Sequence, residues 1–272
     1  MKFKTKFKTW ANQKGGSGKS ILSYNEAFYL AESGYRTLYI DADEQGNGSK
    51  PLAPYAAPGL VASDLFKTAT LRPVVPVEGQ NLSVVMADKA GLIAAERSTM
   101  DDAKMVEVVK ANLMAIAENF DFVIIDTAGA NSRIANTMLV CSDFVAIPCR
   151  IDSYSIDVAK DVLTRIAFIQ QGWNTSLVNM GIVPNEFDAT QPAQIEWLKQ
   201  LMTHFRQYVF GGYVTKRGAY KEAAAEGVPV WRLESEQEGE STGRVKTAAR
   251  TAGKEVKAVF SLMLDQMEKA NG

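Results

Sequence analysis

The stretch NQKGGSGKS, Asn12 to Ser20, decides the fold. It follows an apolar run, FKTWAN at Phe7 to Asn12, and precedes a segment of helical period, Ser20 to Ser33, that stops at Gly34. Three glycines and a closing Lys-Ser between a strand and a helix describe a phosphate-binding loop. The widespread form, GxxxxGK[ST], needs its first glycine where this chain has Gln13, so the pattern here is KGGxGK[ST]. Backbone N–H groups through Gly15, Gly16, Ser17, Gly18, Lys19, Ser20 and Ile21 are expected to face phosphate oxygens at the positive end of the helix dipole. Lys19 would lie along the β- and γ-phosphates, and the Ser20 hydroxyl would ligate Mg²⁺. Those assignments leave Lys14 unexplained.

Outward from the loop, short apolar runs alternate with helical segments. The runs are FKTWAN, RTLYID (Arg36 to Asp41), LSVVMA (Leu82 to Ala87), FDFVIID (Phe120 to Asp126), DFVAIPC (Asp143 to Cys149) and SLVNMGIV (Ser176 to Val183). Their near-continuous Val, Ile, Leu and Phe is what strands covered on both faces require. Two helical segments are clear. DDAKMVEVVKANLMAIAENF starts at a capping Asp101 and carries Met105, Val108, Val109, Leu113 and Ile116 on one face, and SIDVAKDVLTRIAFIQQG ends at Gly172. The alternation predicts a doubly wound α/β fold, a mostly parallel sheet with helices on both faces, as one domain over residues 1–272. The acidic SEQEGES, Ser235 to Ser241, reads as a loop inside that domain.

Composition narrows the function. The chain has 272 residues, 46% of them hydrophobic and 22% charged, with a net charge of −1. Any nucleic-acid or membrane binding must therefore come from a local patch. Two cysteines, Cys141 and Cys149, have neither redox nor zinc spacing, and His204 is the one histidine. Those counts argue against a histidine-based metal site or triad. The lysine-studded start, MKFKTKFKTW, is no secretion signal, and no run approaches the ~20 apolar residues of a membrane span. The expected location is the cytoplasm.

KGGxGK[ST] with a lysine ahead of its first glycine resembles the deviant Walker A motif of the ParA/MinD ATPases. The resemblance implies ATP and Mg²⁺ as ligands, and an ATP-dependent homodimer in which Lys14 crosses to the partner's phosphates. An ammonium there stabilises charge developing as the β–γ bridge breaks. YIDADEQGNGS is similar to the family's DxDPQGN segment, which implies that Asp43 orients the attacking water and Asp41 supports the Mg²⁺ shell. Glu44 replaces the family's proline, a change bearing on hydrolysis more than on binding. FVIIDTAG is similar to a Walker B strand, with Asp126 reaching Mg²⁺ through water and Thr127 to Gly129 sensing the γ-phosphate. The Thr-Ala-Gly run resembles that of the small ParF-type partition ATPases and of relatives that assist T-DNA transfer.

The resemblance thins after Gly181. It implies an adenine contact by Asn185 in GIVPNEF, a position that also suits a turn. Basic residues Lys199, Arg206, Lys216, Arg217 and Lys221 interleave with Phe205, Tyr208, Phe210, Tyr213 and Tyr220. A second set, Arg244, Lys246, Arg250, Lys254 and Lys257, is expected on one long helix. Family members bind DNA non-specifically through basic residues in this half, and a solvated helix face accounts for the same charges. The last helix carries Val256, Val259, Phe260, Met263, Leu264 and Met267 but has acidic flanks, so core packing is expected rather than membrane binding.

The leading expectation is a nucleoid-associated ATPase that segregates plasmid or element DNA with a ParB-like or centromere-binding adaptor. So little chain precedes the first strand that no helix-turn-helix is expected there. The alternatives are a weakly hydrolysing accessory factor in DNA transfer and a MinD-like membrane-surface ATPase. Iron–sulfur relatives need an interfacial cysteine pair, which Cys141 and Cys149 do not form by position.

Overall fold

The protein is seen in a computed structural model that describes residues 4–129, 131–237 and 240–270. The sheet is built from β1 (Lys6–Trp10), β2 (Thr37–Ala42), β3 (Ala56–Val61), β4 (Leu82–Met86), β5 (Phe122–Thr127), β6 (Phe144–Arg150) and β7 (Val178–Asn185). Every neighbouring pair is parallel, in the order β3-β4-β2-β5-β1-β6-β7. The helices are α1 (Lys19–Glu32), α2 (Lys89–Glu96), α3 (Asp102–Ile116), α4 (Arg133–Val140), α5 (Ser155–Gly172), α6 (Pro192–Phe205), α7 (Ala219–Glu226) and α8 (Thr247–Lys269).

Side-chain alternation along the strands feeds two layers. Tyr39, Phe122 and Ile124 pack with Leu22 and Phe28 of α1 and with Val256, Phe260 and Met263 of α8. Leu38, Ile40, Val123 and Ile125 point the other way, onto Met105, Val109 and Leu113 of α3 and Met138 of α4. α5 covers Val145 and Ile147 with Ala159, Val162 and Ile166. Asp101 caps α3 as expected, accepting from the Ala103 and Lys104 amides at 2.9 and 3.3 Å. The apolar stripe of α8 is core, with Val256, Val259, Phe260, Met263 and Met267 all buried.

Three expectations are corrected. β3 was not among the six runs because Pro58 and Gly59 make AAPGLV read as a turn; it survives as an edge strand, where a proline costs no ladder bond. The acidic segment is not a loop throughout. It contributes to an antiparallel hairpin of β8 (Glu234–Gln237) and β9 (Glu240–Val245), with residues 238–239 outside the described set. α8 begins at Thr247, so Arg244 lies in β9 and Lys246 precedes the helix as its N-cap.

β1 is central, and the lysines of its alternation point into the layer of α1 and α8. Lys8 and Glu26 are both buried, and Lys8 Nζ meets Glu26 Oε1 at 2.5 Å. The other carboxylate oxygen accepts from Trp10 Nε1 at 2.6 Å, and the ammonium lies 4.4 Å from the Trp10 ring centroid. Burial lowers the Lys8 pKa against the pull of Glu26. Removing one partner of a buried pair strands the other charge, at a cost of about 3–5 kcal/mol, whereas an apolar pair of similar volume is nearly neutral. Glu26→Ala is therefore expected to lose about 3 kcal/mol in urea unfolding. The double variant Lys8→Met/Glu26→Leu is expected to recover most of it. A single-variant loss under ~1 kcal/mol, the range of exposed pairs, would contradict this account.

Candidate functional site

The phosphate loop runs from β1 into α1, at the carboxyl edge of the sheet where strand order changes direction. Gly18 caps α1 with φ +92°, a left-handed conformation, and a Cβ there would stand 2.1 Å from Asn185 Nδ2. That amide donates to Ser17 O at 2.7 Å, tying the end of β7 to the loop. Asn12 braces the other end, accepting from Lys14 N at 2.8 Å and donating to Pro148 O at 2.5 Å. The result is a cavity of about 710 Å³ lined by Gly15 through Ile21, with Asp43, Gly129 and Asn185. Ser17 Oγ is buried there without a partner among the described residues. The Asn185 side chain lines the cavity, but its amide is committed to the loop carbonyl.

Beneath the loop, Asp41 of β2 and Asp126 of β5 are direct cross-strand partners, and both are buried. Asp41 accepts from the Asp43 amide at 3.1 Å and the Ser49 amide at 2.8 Å. Asp126 Oδ2 accepts from the Tyr39 hydroxyl at 3.2 Å, while Oδ1 has no partner among the described residues. Burial pushes Asp126 up to about 7, and the charge of Asp41 adds to it; the Ser20 hydroxyl and Lys19 pull the other way. Burial likewise pushes Asp41 up to about 6, against its hydrogen bonds from Asp43 and Ser49. Lys19 is buried, its pKa lowered by desolvation and restored in part by Asp126 and Asp43. Lys19 thus answers Asp126 and Asp43, while Asp41 relies on backbone and hydroxyl donors, and a further cation beside Asp126 would offset its burial.

The donor set fits Mg²⁺ shared with phosphates. It offers one hydroxyl and an orphan carboxylate oxygen, and among the described residues no cluster of three His, Cys, Asp or Glu forms a cation cage. Gly129, just past β5, completes the enclosure. A Cβ on it would lie 3.0 Å from Gly15 Cα and 3.1 Å from Lys19 Nζ.

Lys14 lies apart from these groups. It does not line the cavity that Gly15 to Ile21 line, and its Nζ pairs with Asp152 Oδ2 at 3.0 Å, 5.0 Å from the Tyr154 ring centroid. The basic residues of the C-terminal half divide. Lys216, Arg217 and Lys221 line the nucleotide-sized cavity with the phosphate loop, and Lys216 and Lys221 are exposed as well. Arg217 is bound to Glu255 at 2.7 Å, and Lys246 to Glu222 at 2.7 Å. Lys199, Arg206, Arg244 and Arg250 are exposed.

Sequence reasoning missed Tyr39, Gly48, Asp152 and Tyr154. Gly48 packs so closely that a Cβ would meet the Tyr39 hydroxyl at 2.1 Å and Asp126 Oδ2 at 3.0 Å. Asp152 carried a usable signal, being acidic just past the carboxyl end of a strand next to β1.

Comparison with known proteins agrees with this geometry. A family model described as an AAA domain matches residues 5–179. Protein IncC of Escherichia coli is 34% identical over 265 residues, covering 95% of this chain and 69% of the relative. The sporulation initiation inhibitor protein Soj of Bacillus subtilis is 28% identical over 222 residues, 80% of this chain and 87% of Soj. Two solved structures share the fold. A Cyanothece McdA variant in complex with ATP has a TM-score of 0.77 at 20% identity, covering 96% of this chain and 97% of its own. A putative plasmid partition protein of Borrelia burgdorferi bound to AMPPNP has a TM-score of 0.69 at 18% identity, covering 96% and 100%. With these matches and a phosphate loop of the KGGxGK[ST] form, the chain belongs to the ParA/MinD family of P-loop ATPases, enzymes that bind and hydrolyse ATP with Mg²⁺.

Proposed function

We propose that this partition-type ATPase forms a homodimer on ATP, binds DNA without sequence preference in that state, and leaves it on hydrolysis stimulated by a cargo-bound adaptor. On this reading the chain is one cytoplasmic, nucleoid-associated domain acting in plasmid or element segregation. The observation that carries it is the outward placement of Lys14, off its own nucleotide cavity and against Asp152 and Tyr154. A loop lysine that serves a phosphate in its own chain belongs inside, as Lys19 is. One held outside is available to a second copy.

The remaining roles follow from position. Backbone amides from Gly15 to Ile21 hold the phosphates, and Lys19 lies among them. Ser20 would hold Mg²⁺, with Asp41 and Asp126 behind it, and the bound ion would supply positive charge towards the phosphate oxygens. Asp43 lines the cavity, half-buried, where it orients the attacking water. Asn185 fixes the loop. Lys216, Arg217 and Lys221 belong to the nucleotide cavity, and exposed Lys199, Arg206, Arg244 and Arg250, with Lys246 beside them in sequence, are the candidates for DNA phosphates.

Three outcomes are expected. Random-sequence duplex should be bound with ATP and Mg²⁺ but not with ADP, and Lys14→Ala should abolish that binding while ATP affinity stays within a few fold. Filter binding together with light scattering reads both; binding indifferent to nucleotide would sink the dimer mechanism. Asp43→Ala should lower single-turnover hydrolysis by about 10²-fold with ATP binding retained, the scale of a lost proton-transfer or water-orienting group. Gly18→Ala should abolish calorimetric ATP binding, because its left-handed φ and the Asn185 amide leave no room for a methyl group. Wild-type affinity in that variant would refute the bracing role of Asn185.

A further inference from the structure

A second cavity, of about 740 Å³, opens between α3, α4 and α5, with Gln13 at one edge. Val106, Val140 and Ile169 give it an apolar wall, and Phe168 and Trp173 also line it although 64% and 43% exposed. Two guanidinium groups line it, and they differ. Arg133 is occupied: its Nε is 2.5 Å from Asp102 Oδ1, its Nη1 donates to Ser98 O, and its Nη2 to Met100 O. Arg165 is not. Its Nε donates to Asn136 Oδ1 at 2.6 Å, but Nη2 is buried and has no partner among the described residues. Burial lowers the Arg165 pKa, and no carboxylate offsets it.

A buried guanidinium nitrogen without an acceptor is costly, and such groups are normally satisfied by a ligand or a charge partner. We infer that this cavity is a second ligand site, separate from the nucleotide site, that takes an organic carboxylate on an aromatic or apolar body, with Arg165 as its anchor. Three features select that chemistry. The volume is in the range of small-molecule sites, about 300–1,000 Å³, and mostly apolar walls with a few convergent donors are their usual lining. A guanidinium matches a carboxylate in plane and spacing. The charges also sum to a monoanion's complement. Arg133 and Asp102 neutralise each other, leaving Lys160 and Arg165 against Asp161, a net of one positive charge. A phosphate dianion would be under-compensated and would face Asp161. The inference stands independently of the partition reading.

The same chemistry occurs in a free aryl-alkanoic acid and in an acidic residue beside an aromatic one on a polypeptide. Indole-3-propionate, its primary amide, and the blocked dipeptide acetyl-Trp-Glu-amide distinguish them, titrated calorimetrically into the full chain. The free acid is expected to bind, its neutral amide about tenfold more weakly or worse. Arg165→Met is expected to lose the acid, and Arg165→Lys to restore part of it. Phe168→Ala, at an exposed position that leaves Arg165 intact, is expected to weaken the acid too, with circular dichroism and ATP binding as controls for folding. Arg165-dependent binding of the dipeptide alone supports the carboxylate chemistry and assigns its source to a polypeptide. Equal affinity for acid and amide, indifference to Arg165→Met in a folded variant, or no binding of any probe at millimolar concentration overturns the site.

Discussion

Two carboxylates, Asp41 and Asp126, stand opposite each other on adjacent strands with no access to water. In a sheet interior such a pair needs positive charge, hydrogen-bond donors or a bound proton close by. The chain answers with the Lys19 ammonium, with amides of Asp43 and Ser49 turned onto Asp41, and with the Tyr39 and Ser20 hydroxyls turned onto Asp126. Lys19 enters at the first turn of α1, next to Gly18 in its left-handed conformation, and Gly15 through Ile21 line the same cavity. Nucleotide binding is then the completion of an electrostatic arrangement that the fold holds open.

A second buried charge secures the frame from below. Lys8 sits in the central strand and is neutralised by Glu26 of α1 and covered by Met263 of α8. An apolar side chain there would pack as well, but it would not fix the rotation of α1 about its axis. The pair does so, because Glu26 must face Lys8 and Trp10 together. The start of that same helix carries Lys19 and Ser20, so the angle at which they meet Asp126 is set partly from this lower contact. Specificity of arrangement, more than stability, is what such a pair supplies here.

Much of this was legible in the sequence, for identifiable reasons. Six strands were readable because both faces are covered, which writes itself as continuous Val, Ile and Phe; β3 was not, because an edge strand accepts Pro58 and Gly59. The loop was readable because phosphate binding imposes spacing within one turn; Asp41 and Asp126, on other strands, were singled out by resemblance to family motifs. Lys8 and Glu26 were not, because their meaning depends on a contact between β1 and α1 that each residue type disguises as surface. The place of the basic residues near Lys216 was not legible for a related reason. Charge in sequence does not say which way a loop turns, and this one turns towards the phosphate loop, where Lys216 and Lys221 face the same space as Lys19.

The outward lysine brings these pieces together. Lys14 is held by Asp152, which follows β6, and by the Tyr154 ring, while its amide is fixed by Asn12, which in turn holds Pro148 of the same strand. The lysine and its restraints thus follow two neighbouring strands, β1 and β6. Its pair with Asp152 is partly solvent-exposed, and such pairs contribute about 0–1 kcal/mol. A phosphate chain with its larger charge outcompetes a single carboxylate for an ammonium at little cost. Weak retention therefore favours a lysine that is pre-positioned yet releasable, the combination that the proposed nucleotide-dependent dimer requires.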